Sequence, residues 1–328
     1  MRLPEAQGRV KGAGAADTLA LSVAAAYPEA VAAASTKAPA EQVRALVRAR
    51  EPIVLGGIYD GVSARLAERA GFRLGFIGGY AVAASVLGEP DIGLLTQTEM
   101  ADAVRRLCRL VSFPVLVDAD TGYGGVANVV RTAELYFQAG AAGIFLEDQV
   151  WPKRCGHMAG KQVVPREEWL AKLRAVLSLR PEIDLFLVAR TDARGPRGLE
   201  EAIRRGRLAR DLGADAVFVE APHSVAELDA IAMGIQGPKV ANMVEYGLTP
   251  LLGPEELHAR GFDLIVHPVA AILAQARAVA EIYRRLRTEG SAAAAMGEML
   301  PFAEFHALLG LEAHRRREAE ASGRGGPR

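Results

Sequence analysis

The chain has 328 residues, half of them hydrophobic and 24% charged, enough apolar material for a large buried core. Its 39 Lys and Arg balance 39 Asp and Glu, a neutrality that argues against a protein that coats phosphate backbones or anionic lipid, so neither a nucleic acid nor a membrane is expected as partner. Two cysteines, Cys108 and Cys155, are too few for a disulfide scaffold and suit a reducing, cytoplasmic setting, and no apolar run reaches the roughly 18 residues of a spanning helix.

Residues 1–40 read as a poorly ordered N-terminal extension. The stretch 18–35 is Ala-rich, but Asp17 precedes it and Pro28 and Glu29 interrupt it, which does not fit a secretory signal. Short apolar runs then alternate with helical stretches. Strands are predicted at 52–56, 74–78, 114–118, 143–147, 185–190, 216–220, 239–242 and 264–267, each non-alternating, as for parallel strands covered on both faces. Helices are predicted at about 61–70, 97–111, 126–139, 166–179, 198–212, 224–234, 254–260 and 269–288. Four helices run into a glycine just before a strand (Gly71, Gly140, Gly213, Gly261), the position where a left-handed residue ends a helix. Eight such units read as a (β/α)8 barrel of the α/β class over 41–290. The segment 291–328 reads as a helical extension, with Phe302, Phe305 and Leu308 on one face, and a charged tail. An open doubly wound sheet would want a Gly-rich phosphate turn after the first strand, and Gly56-Gly57-Ile58-Tyr59-Asp60 matches that poorly.

Barrel chemistry gathers at the carboxyl ends of the strands. There the chain places Gly78-Gly79-Tyr80, Asp118-Ala119-Asp120, Glu147-Asp148, Arg190-Thr191-Asp192, Glu220 and Asn242. A single Asp is usually a turn or cap residue, but Asp118, Asp120, Glu147 and Glu220 together would repel as unpaired carboxylates. An all-oxygen set of this kind favours Mg²⁺, with Mn²⁺ as a substitute. Arg190 has the planar fork that grips a carboxylate, or else it pairs with Glu147 or Glu220. Gly78 and Gly79 offer backbone amides to a second carboxylate, or form only a tight turn. The span 149–165 is long enough to cover a site, and in it Cys155 lies among Lys153, Arg154 and His157, surroundings that lower a thiol pKa. His157 joins Cys155, Arg190 and Glu147 as a candidate catalytic residue; the acids suffice for a metal without it. A Schiff-base aldolase would need a desolvated lysine in the mouth; Lys239 begins its strand at the wrong end, and Lys153 and Lys161 belong to the covering loop.

These motifs resemble the isocitrate lyase and phosphoenolpyruvate mutase superfamily over about 52–313. They are Gly79-Tyr80 with Leu87-Gly88-Glu89-Pro90-Asp91, Asp118-Ala119-Asp120-Thr121-Gly122, Glu147-Asp148-Gln149, Lys153-Arg154-Cys155-Gly156-His157, Arg190-Thr191-Asp192-Ala193 and Asn242-Met243. The run around Cys155 is the lyase signature, and phosphonomutases lack that cysteine. The chain is most similar to the branch of 2,3-dimethylmalate lyase and petal death protein, which cleaves 2-alkylmalates and in some members hydrolyses oxaloacetate. The resemblance implies a carbon–carbon lyase with Asp118 on Mg²⁺ and Asp120, Glu147 and Glu220 in support. It implies Arg190, Asn242 and the Gly78-Gly79 amides on the 2-oxo acid carboxylate, Tyr80 and Asp91 near the substrate, Cys155 as general acid, and a homotetramer with exchanged C-terminal helices. Two departures stand out: many relatives have Ser at Gly78, and methylisocitrate lyases have His at Phe145. Methylisocitrate cleavage, phosphonomutase chemistry and a non-catalytic binding barrel remain as alternatives.

Overall fold

The computed structural model describes residues 38–323 apart from 157 and 159. The remainder of the N-terminal extension, His157 and the last five residues lie outside the described part. Eight parallel strands close into a barrel in sequential order. They are β1 (Ile53–Gly57), β2 (Gly75–Ile77), β3 (Val115–Asp118), β4 (Gly143–Leu146), β5 (Phe186–Thr191), β6 (Ala216–Val219), β7 (Lys239–Asn242) and β8 (Leu264–His267). β1 closes the ring by pairing with β8, Ile53 opposite Leu264 and Gly56 opposite His267.

The helices in chain order are α1 (Pro39–Arg48), α2 (Gly61–Arg69), α3 (Gly79–Val82), which runs on into a π-helical turn Ala83–Leu87, α4 (Gln97–Cys108), α5 (Val126–Gln138), α6 (Arg166–Ser178), α7 (Arg194–Arg197), α8 (Leu199–Leu212), α9 (Val225–Gly234), α10 (Pro254–Ala259), α11 (Ala270–Glu289), α12 (Phe302–Leu308) and α13 (Leu311–Ala321). Local chemistry explains their limits. Asp60 with Ser63, and Thr96 with Glu99, form capping boxes that start α2 and α4. The four glycines expected to stop helices all have left-handed φ: 81° at Gly71, 101° at Gly140, 110° at Gly213 and 98° at Gly261.

Two apolar layers result. Inside the barrel, Leu55, Leu74, Phe76, Leu116, Val188 and Leu264 belong to one buried cluster. Outside, Ile77, Val117, Ile144 and Leu187 pack with helix residues such as Met100, Tyr136 and Leu173. α1 was not among the predicted elements and begins just inside the stretch read as extension. Its Ala40 and Val43 are fully buried and join the interior cluster, while Arg44 bonds Asp184 at 2.8 Å and Asp215 at 2.9 Å, just ahead of β5 and β6. α1 therefore plugs the end of the barrel opposite the strand termini that carry the chemistry. α11, by contrast, buries no residue along its 20-residue length.

Candidate active site

The acid motif after β3 is a turn and not a continued strand. Asp120 has a φ of 46°, and its amide donates to Asp118 Oδ1 at 3.0 Å. A left-handed non-glycine residue is costly and persists only where its surroundings hold it. Here Glu147 N donates to Asp120 O at 2.9 Å, Lys172 Nζ to Thr121 O at 3.0 Å, and Thr132 Oγ1 to Gly122 O at 3.2 Å. The turn lets carboxylates two residues apart reach the same rim. Gly79 N lies 3.4 Å from Asp118 Oδ2, which ties the turn to the Gly78-Gly79 corner.

The rim carboxylates are not unpaired, as charge counting along the sequence implied. Two cations share them. Lys153, 3% exposed, stands 2.5 Å from Asp91 Oδ1 and 2.7 Å from Asp120 Oδ1. Arg190 is 2.9 Å from Asp192 Oδ2 and 3.2 Å from both Glu147 Oε2 and Glu220 Oε2. Burial opposes the charge on Lys153, yet Asp120, Asp91, Asp118 and Glu147 outweigh it and hold its pKa well above the usual lysine value. Lys153 is thus a desolvated lysine at the mouth, where the sequence placed it only in a loop. Its fixed charge makes it an ion-pair partner and no amine nucleophile. Burial pushes Asp120 up to about 7 against the pull of Lys153, and raises Glu147 well above the carboxylate range despite Arg190. Burial also works against Asp192, but Arg190 and Lys161 prevail and hold it at about 2. Asp148 is pushed up to about 6, first by burial and then by Asp192.

The segment after β4 leaves and returns through an antiparallel bridge between Gln149 and Val163. Gln149 closes on Arg154 with two hydrogen bonds, 3.0 Å from Arg154 N and 2.8 Å to Arg154 O. Cys155 N donates to Asp91 O at 3.2 Å. The segment thereby lies across the mouth with the half-buried Cys155 facing the cavity below. Cys108, burial-raised to about 12, belongs to the packing between helices.

That cavity has a volume of about 520 Å³. Gly78, Asp118, Arg190, Glu220 and Asn242 reach it from the strand ends, Gly79 and Tyr80 from the start of α3, and Asp91 and Cys155 from the loops. Asp120 and Glu147 sit behind its wall, 2% and 1% exposed. Its floor is aromatic: Phe145 meets Phe76 edge-on at 4.9 Å and Phe218 at 6.1 Å, and the Arg190 guanidinium lies 5.3 Å from the Phe218 ring centre. Sequence reasoning missed Lys153, Lys161, Asp148 and Asp192 as site residues. Each lies inside or beside a motif already singled out, but pairing across the barrel is not written in local spacing.

Among the described residues, no three acidic, His or Cys side chains converge closely enough to chelate an ion as placed. The donor set nevertheless fits a hard cation in kind. It is all oxygen, and neither carboxylate oxygen of the buried Glu147 accepts a hydrogen bond.

Residues 43–287 match the phosphoenolpyruvate phosphomutase family. The chain is 47% identical to petal death protein of Dianthus caryophyllus over 268 residues, 81% of this chain and 84% of that protein. It is 41% identical to 2,3-dimethylmalate lyase of Eubacterium barkeri, over 83% of this chain and 94% of the other. A solved oxaloacetate acetylhydrolase bound to the inhibitor 3,3-difluorooxalacetate superimposes with a TM-score of 0.82 at 36% identity, covering 88% of this chain and 98% of that one.

Proposed function

The chain belongs to the phosphoenolpyruvate phosphomutase family, within the isocitrate lyase and phosphoenolpyruvate mutase superfamily, and from that premise we propose that this carbon–carbon lyase cleaves a 2-alkylmalate-type 2-hydroxy diacid in a Mg²⁺-dependent reaction. One observation carries the substrate class. Among the described residues lining the cavity, Arg190 is the sole Lys or Arg, and much of the rest of the lining is apolar, with Phe145, Val240, Val266 and Leu273. A single guanidinium beside a hydrocarbon wall suits a diacid with an alkyl substituent. A third carboxylate, as in methylisocitrate, would be buried there without a cation.

In this reading Arg190, Asn242 and the Gly78-Gly79 amides orient the carboxylate of the nascent 2-oxo acid. Asp118, Asp120, Glu147 and Glu220 would hold Mg²⁺ or Mn²⁺, which when bound supplies Lewis-acid stabilisation of the charge that builds up during scission. A rim glutamate accepts the 2-hydroxyl proton, Glu220 from the cavity wall with Glu147 behind it. The C2–C3 bond breaks, its electron pair passes into the enediolate of the departing acid, and Cys155 Sγ delivers a proton to carbon. Proton transfer from the carboxyl to the thiolate restores both groups. Tyr80 and Asp91 close the substrate end, and His157 follows Cys155 by two residues. Oxaloacetate hydrate offers the same bond to the same groups and would give oxalate and acetate. The thiol favours this chemistry over phosphonomutase isomerisation, which needs no proton delivered to carbon.

The exposed apolar side chains of α11, among them Val279, Tyr283 and Leu286, support a homo-oligomer, a tetramer with exchanged C-terminal helices by analogy with the superfamily. No helix among the described residues is long and apolar enough to cross a membrane, and we place the enzyme in the cytoplasm. The test is 2-oxo acid release from a panel of 2-alkylmalates and oxaloacetate. Cys155→Ser should lose about 10²- to 10⁴-fold in kcat; full turnover by that variant would remove the thiol from the mechanism.

A further inference from the structure

We propose that Lys161 is a positioning residue that bridges Asp192 at the barrel rim to the carbonyl of Gly156, and so sets the Cys155 thiol and the Arg190 guanidinium in register. The Lys161 side chain is 7% exposed, and its Nζ lies 2.8 Å from Asp192 Oδ1 while also donating to Gly156 O. Both acceptors matter. Asp192 is fully buried and accepts from Arg190 Nε at Oδ2, 2.9 Å, and from the second guanidinium nitrogen at Oδ1, 3.3 Å. Its own amide donates to Asp148 Oδ1 at 2.8 Å, which fixes it to the end of β4 beside Glu147. Gly156 is the neighbour of Cys155 and rests against Glu220.

One ammonium therefore joins the segment that carries the thiol to the carboxylate that aims the anion clamp. Burying a lysine is costly unless its protons find acceptors. Here the acceptors exist together only when the segment is seated. Lys153 pins the same segment on the other side, to Asp91 and Asp120, so Cys155 is held between two lysine anchors. Misplacement of a reacting group by about 1 Å costs on the order of 10²-fold in rate, which gives an anchor at Gly156 direct leverage on proton delivery.

This inference rests on the assignment of Cys155 as acid, and the experiment separates the two. Lys161→Met is compared with the full-length wild type by hydrogen–deuterium exchange of the peptide 149–164, and by kcat and KM for the best diacid of the panel. Exchange in peptides from α6 reports whether the barrel is folded. The expected result is exchange about 10-fold faster in 149–164 with α6 unchanged, and kcat reduced about 10²-fold with a smaller change in KM. Faster exchange with undiminished kcat would support the anchor and count against Cys155 as the acid. Wild-type exchange in 149–164 would overturn the anchor whatever the turnover. Should Lys161→Met not fold, Lys161→Arg, which keeps the charge with a different reach, takes its place with the same readouts.

Discussion

Gly156 and Glu220 are in such close contact that a β-carbon on the glycine would lie 2.3 Å from Glu220 Oε2 and 2.4 Å from its Cδ. Glu220 is 1% exposed and meets that position with its Cγ, at 2.6 Å, as well as with its carboxylate, so close packing leaves it little room to withdraw. Gly156→Ala should lift the covering segment off the rim and lower kcat on the order of 10²-fold. The melting temperature should barely change, because the contact belongs to a loop and not to the core. Steady-state kinetics beside a thermal melt checks this, and a Gly156→Ala enzyme with wild-type kcat would show that the segment need not seat where it does.

Gly78 has a similar explanation. A β-carbon there would meet Phe76 Cε1 at 2.9 Å, and Phe76 is itself held edge-on against Phe145. The missing hydroxyl of the related enzymes and the aromatic floor are thus one feature. Gly78→Ser alone should raise KM and destabilise by about 1–3 kcal/mol through overpacking. Gly78→Ser combined with Phe76→Leu should recover most of the stability loss caused by the serine. A double-mutant cycle reads the coupling, and strict additivity would refute it.

Much of this was legible in the chain itself. β7 and β8 span the predicted residues, because a buried parallel strand is a bare apolar run bounded by glycine or polar residues. The helix-ending glycines were legible because only glycine takes a φ near 100° without penalty. α1 was not legible: its amphipathic stretch adjoins the Ala-rich extension, and what fixes it is Arg44 reaching Asp184 and Asp215, 140 and 171 residues away. The same holds for Lys153, whereas the pairing of Arg190 with Glu147 and Glu220 was one of the two readings its sequence position allowed. Charge counting found the acids, but which cation neutralises which carboxylate is decided by the closed barrel.

Metal removal tests the acid rim directly. Glu147 is buried, and apart from the ion pair with Arg190 at 3.2 Å its oxygens accept no hydrogen bond, an arrangement that a divalent cation would relieve. Chelation should abolish turnover, and Mg²⁺ or Mn²⁺ should restore it. The cation should also raise the melting temperature, since a ligand at 100 times its Kd adds about 2.7 kcal/mol to the folded state. Asp118→Asn should lose that stabilisation, as followed by Mn²⁺ titration in the absence of substrate. A chelated enzyme with full activity would exclude the metal from the reaction.

Arg44 sets a pH-dependent part of the stability at the far end of the barrel. Its hydrogen bonds and charge hold Asp184 below the usual carboxylate range, against a smaller burial effect. A depressed folded-state pKa contributes stability that is fully present above the unfolded carboxylate value, about 3.9, and is lost as pH falls through the folded value. Arg44→Ala should therefore cost about 2 kcal/mol at neutral pH, the scale of charge-assisted bonds in a partly exposed setting. The gap between wild type and variant should stay level from pH 8 to 5 and close below about pH 4. Melting curves across that range decide it: a gap that stays unchanged below pH 4 would mean that Arg44 acts through the apolar contacts of α1 and not through its carboxylate partners.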